Sequence, residues 1–133
     1  MRYRAACIVA LSLVLAAALT GCSGLLFYPS REMVRTPDQL GLSYEDVYFD
    51  TPDGVKLHGW YLPARGTAIG TILYLHGNAE NISTHIFNVA WLPAKDFNVF
   101  LFDYRGYGLS GGTPSLPGVH EDFAAALHWL LKR

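Results

Sequence analysis

Only two cysteines occur in the 133 residues, Cys7 and Cys22, so no disulfide framework is available to staple the fold. An excess of either charge is missing too: ten Lys and Arg stand against eleven Asp and Glu, for a formal net charge of −1. Without a basic patch or stripe, nucleic acid is excluded as a partner. Charged residues make up 16% of the chain and hydrophobic residues 51%, which excludes a disordered polyelectrolyte. Repeats and low-complexity tracts are absent. So are ligand clusters with metal spacing. His120 and His128 lie eight apart without a third ligand nearby, so neither a metal nor a cofactor is expected.

The N-terminus reads as an export signal. Arg2 and Arg4 form a short positive segment, and Ala5 to Leu19 is an almost unbroken apolar run. That run falls short of the roughly 20 residues that a membrane span requires. It ends in Leu19-Thr20-Gly21-Cys22, which resembles the lipobox of bacterial lipoproteins, whose cysteine becomes the lipid-modified N-terminus. Residues 1–21 are therefore expected to be a signal peptide, with the lipobox at 19–22 and Cys22 as the lipidation site. The chain is then exported and anchored by that lipid to the inner or outer membrane of the bacterial envelope, facing the periplasm in a Gram-negative cell. An uncleaved anchor and an ordinary signal peptide are the alternatives.

Residues 22–43 read as an irregular arm punctuated by Pro29 and Pro37. Tyr44 to Asp50 alternates polar with apolar or aromatic residues, as a half-buried strand does. Thr51-Pro52-Asp53-Gly54 supplies a turn, and Val55 to Leu62 returns as a second strand with His58 as a surface or satisfied polar residue. Thr71 to His76 and Asn98 to Tyr104 are apolar on both faces, the pattern of strands buried in a parallel sheet. Between them, Asn81 to Ala94 predicts a helix capped by Asn81 or Ser83 and closed by Pro93. Gly118 to Arg133 predicts another, with Val119, Phe123, Leu127, Leu130 and Leu131 on its apolar face and Glu121 and Asp122 in its first turn. A hairpin followed by strand, helix, strand and helix implies an α/β fold with a mostly parallel sheet flanked by helices.

Two stretches carry chemistry. In Leu73 to Asn81 (LYLHGNAEN) a buried strand ends in His-Gly and a short loop opens the next helix. Backbone N–H groups of such a loop can converge on one point, which is what an oxyanion forming in acyl transfer needs. Phe102 to Ser115 (FDYRGYGLSGGTPS) contains Gly108-Leu109-Ser110-Gly111-Gly112, a literal G-x-S-x-G. Together, His76-Gly77-Asn78-Ala79 and Asp103-Tyr104-Arg105-Gly106-Tyr107-Gly108-Leu109-Ser110-Gly111-Gly112 resemble the α/β-hydrolase superfamily. The nearest resemblance is to the serine hydrolases whose oxyanion loop reads His-Gly-Asn-Ala, and Asp53 to Pro63 is similar to that branch's second strand. The resemblance runs from about Tyr44 to Lys132. It implies hydrolysis of esters, thioesters or related small acyl substrates. It also implies that Asn78 supplies an oxyanion-hole N–H, that His76 and Gly77 support the loop, and that Asp103, Arg105 and Gly106 shape the following turn. Glu80 stands where glycine is frequent in that branch.

Ser110 itself does not read as the nucleophile. An elbow needs strand, serine and helix in immediate succession. Here Ser110 is followed by Gly111, Gly112, Pro114 and Pro117, which do not start a helix. His120, Glu121, Asp122 and His128 share one helix and read as solvated residues rather than a triad. The chain is thus expected to be the N-terminal half of an α/β-hydrolase, with a partial and incomplete domain at 44–133. It carries the oxyanion loop without nucleophile, acid or base, and so is inactive alone. The alternative is a small non-enzymatic, membrane-anchored lipoprotein acting as a binding or interaction module.

Overall fold

The computed structural model describes residues 26–133. The signal peptide, the lipobox and Cys22 lie outside the described residues. The first short strand, β1 (Tyr28–Pro29), belongs to the arm. A hairpin follows, formed by β2 (Glu45–Asp50) and β3 (Lys56–Leu62). Next come β4 (Gly70–Tyr74), β5 (Ala79–Glu80) and a single turn of helix, α1 (Ile82–His85). The last elements are β6 (Phe97–Asp103) and α2 (Leu116–Leu131).

The main sheet is mixed, in the order β2-β3-β6-β4. The hairpin pairs antiparallel from Glu45↔Tyr61 to Asp50↔Lys56, β3 pairs antiparallel with β6, and β6 pairs parallel with β4. Burial follows from position in that order. Edge strand β2 buries only Val47 and Phe49, whereas β3 is buried from Leu57 to Tyr61 and beyond. Along β6, Phe100 and Phe102 point to one face and Val99 and Leu101 to the other, as strand geometry requires. The first face packs with Phe49, Tyr61, Ala125 and Ala126, and the Trp129 ring lies tilted against Phe100 with centroids 4.4 Å apart. The second packs under Trp60, Leu62, Ile82, Ile86, Val89 and Leu92.

Two helical expectations need correction. The segment 81–94 is not one helix: α1 gives way to a 3-10 turn at Ile86–Asn88, and Pro93 opens another at Pro93–Lys95 rather than closing a helix. Its β-branched, aromatic and asparagine residues are weak helix formers, while the buried Ile82, Ile86, Val89 and Leu92 still keep one apolar edge on the sheet. The last helix starts at Leu116, with Ser115 Oγ accepting from Gly118 N–H as its cap. Pro117 therefore sits in the first turn, where its missing N–H leaves no bond unmade, and Glu121 and Asp122 fall in the second turn. The buried side of α2 is Gly118, Asp122, Ala125 and Ala126, whereas Phe123, Leu127 and Leu131 are exposed. Small residues let the backbone approach the sheet; of the expected apolar face, Val119 and Leu130 still pack against the core, while Phe123, Leu127 and Leu131 are turned outward.

Candidate functional site

β4 and β6 run parallel, so the segments that follow them emerge at the same end of the sheet. After β4 the chain passes through Leu75, His76, Gly77 and Asn78. His76 is buried, and its Nδ1 lies 2.7 Å from the Gly77 carbonyl, which can only accept; the ring proton is therefore assigned to Nδ1. The ring is fixed on three sides, 4.7 Å from Tyr104, 5.2 Å from Tyr107 and 5.4 Å from His85 between centroids. Tyr107 Oη donates to Asn78 O at 2.7 Å, and Tyr104 Oη donates to His76 O at 3.4 Å. Burial pushes the Tyr104 phenol up to about 12 and also raises that of Tyr107, so both stay protonated donors at neutral pH. Gly77 and Asn78 are exposed, and among the described residues their N–H groups enter no backbone hydrogen bond.

The loop then forms a strained turn. Glu80 has φ of 63°, a left-handed conformation that costs a residue with a Cβ about 1–2 kcal/mol. Glycine is free of that cost, so Glu80→Gly would relieve the turn. Asn81 is fully buried and acts as the cap expected of it: Oδ1 accepts from Ser83 N–H at 2.9 Å and from Ser83 Oγ at 2.6 Å.

Asp103 ends β6 directly behind this loop. Its Oδ1 accepts from Ile82 N–H at 2.8 Å and stands 3.3 Å from His76 Nε2, off-line for a hydrogen bond. A Cβ at Gly108 would collide with the Asp103 carboxylate, and Gly108 has φ of 46°, so the approach and the backbone both require glycine there. Ser110 is 0% exposed. Its Oγ accepts from His58 N–H at 2.9 Å and donates to Asp103 O at 2.6 Å. His58 and Asp103 are register partners on β3 and β6, so the hydroxyl completes the ladder between them. The G-x-S-x-G segment is a turn, with α2 starting only at Leu116.

His58 is not a surface residue. It is fully buried, with Nε2 2.8 Å from Asp46 Oδ1, which also accepts from Trp60 Nε1 at 2.9 Å. Nδ1 of His58 has no partner among the described residues. Asp122 is likewise not solvated: it is 0% exposed and accepts from Arg105 N–H at 2.8 Å and Arg105 Nε at 2.9 Å. Arg105 extends the knot with Nη1 to Asp53 Oδ2 at 2.8 Å and Nη2 to Glu121 Oε2 at 3.3 Å. The hydrogen bond from Arg105, then that from Thr51, hold the Asp53 carboxyl well below the usual carboxylate range. Burial raises the Asp122 carboxyl, opposed by its bonds to Arg105. Gly118 is needed because a Cβ there would run into the Arg105 side chain. His120 and His128 are exposed, as a solvated helix surface predicts, and no group of metal-ligand residues occurs among the described residues.

The arm is the part of the site that sequence reasoning missed. β1 pairs parallel with β5, Tyr28↔Ala79 and Pro29↔Glu80, so the arm lies along the loop. Asn78 Nδ2 donates to Leu26 O at 2.8 Å, and Tyr28 N–H donates to Asn78 O at 2.9 Å. Ser30 O accepts from both Gly108 N–H at 2.9 Å and Asn81 Nδ2 at 3.1 Å, tying the two motif loops together. Arg31 Nη1 reaches Ser110 O at 3.0 Å, and Val34 N–H donates to Ser83 Oγ at 2.9 Å. Such pairing involves only two residues of each strand, too short for any periodicity to reveal.

The structure thus brings His76, Gly77 and Asn78 together at the end of β4, with Asp103, Ser110 and the arm as supports. No family model matches the chain. The uncharacterized protein YfhR of Escherichia coli K12 is 44% identical over 106 residues, which are 77% of this chain and 37% of that protein. The Arabidopsis thaliana alpha/beta hydrolase domain-containing protein WAV2 is 42% identical over 100 residues, 74% of this chain and 32% of its own length. Among solved structures, the Pyrococcus furiosus esterase Pf2001 superposes with a TM-score of 0.66 at 31% identity, covering 80% of this chain and 43% of that one. The chain spans between about a third and two fifths of the length of these two curated relatives. Its strand order, its loops and these relatives agree: the chain belongs to the α/β-hydrolase superfamily and carries an incomplete, N-terminal part of that fold.

Proposed function

We propose that this chain supplies the oxyanion loop of a serine hydrolase acting on esters, thioesters or similar acyl bonds. The observation that carries the reading is the His76–Asn78 loop. Exposed N–H groups at the end of a buried strand are held in place by His76 and by the Tyr107–Asn78 bond. A preorganised donor of this kind, with Asn78 N–H as its proposed member, lowers the barrier to a tetrahedral oxyanion by about 3–4 kcal/mol. Nucleophile, acid and base come from outside the matched portion, and Ser110 is not the nucleophile. We propose further that the chain is exported and held at the bacterial envelope by lipid on Cys22.

A fluorophosphonate probe tests the first part, and no labelling of the 133-residue chain is expected. Stoichiometric labelling that disappears in Ser110→Ala would make Ser110 a nucleophile and overturn its structural role. The loop is tested in a chimera in which residues 26–133, arm included, replace the matched segment of the Pyrococcus furiosus esterase. The chimera is expected to hydrolyse short-chain aryl esters, and Asn78→Pro, which removes the N–H, to lower kcat about 100- to 1000-fold at unchanged KM. A folded chimera whose kcat is indifferent to that change defeats the oxyanion assignment.

A further inference from the structure

We infer that the end of the sheet carrying the His76–Asn78 loop faces a lipid bilayer at close range, so that whatever reaches this loop is drawn from the membrane interface. This orientation rests on the proposal that Cys22 is the lipid-bearing residue, and goes beyond it.

Chain length sets the distance. Leu26 follows Cys22 by four residues. At about 3.3–3.6 Å per residue, even a fully extended chain separates the two by no more than roughly 14 Å. Leu26 is not free to swing away from the body of the protein. Its carbonyl accepts from Asn78 Nδ2 at 2.8 Å, and the next residues are fixed by β1–β5 pairing and by the Ser30 bonds to Gly108 and Asn81. A lipid on Cys22 therefore places the Asn78 loop beside the headgroups. The opposite end of the sheet, where Lys95 precedes β6, lies farther by the length of that strand, seven residues or roughly 23 Å.

The exposed side chains agree with this orientation. Leu26, Tyr28, Leu75 and Leu109 are all large, apolar and exposed. Each is fastened to the same end: Leu26 and Tyr28 by the arm's bonds to Asn78, Leu75 as the neighbour of His76, and Leu109 beside Gly108, which is bonded to Ser30. Apolar and aromatic groups of this kind settle at the headgroup boundary. A flexible linker of tens of residues would leave orientation open; a four-residue tether fastened to the site does not.

The test uses the full chain, expressed in a bacterium that processes lipoproteins and reconstituted into phosphatidylcholine vesicles with a nitroxide quencher on the headgroup. A fluorophore is placed on Ala79→Cys or Leu109→Cys at the loop end, or on Lys95→Cys at the far end. Quenching is expected to be severalfold stronger at residues 79 and 109 than at residue 95. Vesicle flotation is measured on the same samples. Chains that float but quench equally at all three positions, or most at residue 95, overturn the orientation and leave the anchor intact. Chains that do not float overturn the anchor, and the orientation with it.

Discussion

Ser110 sits between β3 and β6 with its hydroxyl engaged twice, as acceptor from His58 N–H and as donor to Asp103 O. A side chain fixed in this way is shut off from solvent, and both of its partners are backbone groups rather than a base, whatever letters surround it. Its contribution is to stability. Ser110→Ala leaves the buried His58 N–H without an acceptor and the end of the ladder open, which costs about 1–3 kcal/mol. Urea denaturation of wild type and variant measures that loss, and a difference below about 0.5 kcal/mol would mean that the ladder closes without the hydroxyl. Half of this was legible in the sequence. The glycines and prolines after Ser110 rule out an elbow, but the residue's partners are 52 positions away at His58 and 7 at Asp103, beyond any local pattern.

At the scale of elements, Arg105 joins three pieces: the hairpin turn through Asp53, β6 through its own backbone, and α2 through Glu121 and Asp122. The strands were legible because burial on both faces leaves a continuous apolar signature, as in Phe97–Asp103. The rotation of α2 was not, because Asp122 reads as polar until the guanidinium 17 residues earlier is seen to bury it. The knot also has a pH signature. Arg105 depresses the Asp53 carboxyl, so this contribution to stability is fully present above the ordinary aspartate value of about 3.9 and is lost as pH falls through the lower folded value. Asp122 is shifted the other way, and its effect wanes as pH rises through its raised value. Asp53→Asn removes only the first. The stability difference between wild type and Asp53→Asn is expected to favour wild type at pH 7 and to shrink toward pH 2. Chemical denaturation across that range checks it, and a difference that is flat with pH would mean that Asp53 is not held by Arg105 in solution.

Over the whole molecule, the sheet is closed by neither fold nor partner among the described residues. β4 pairs only with β6, so its other edge presents unpaired N–H and C=O groups, and Ile69 just before it is 71% exposed. Natural edge strands are blunted by charge, proline or cover, and this one has none of those at Gly70–Tyr74. On α2, Phe123, Leu127 and Leu131 add exposed apolar side chains, Leu131 at 77%. An edge of this kind and a bare helix face drive self-association. Purified residues 24–133 are therefore expected to sediment as oligomers or larger aggregates at micromolar concentration. The edge is the stronger contributor, because strand addition satisfies a row of backbone groups at once, whereas the helix face offers a single row of three side chains. Ile69→Lys, which places a charge beside the edge, is then expected to shift the distribution toward monomer more than Phe123→Glu does. Sedimentation velocity on both variants decides between them: a larger effect from Phe123→Glu would assign the association to the α2 face instead.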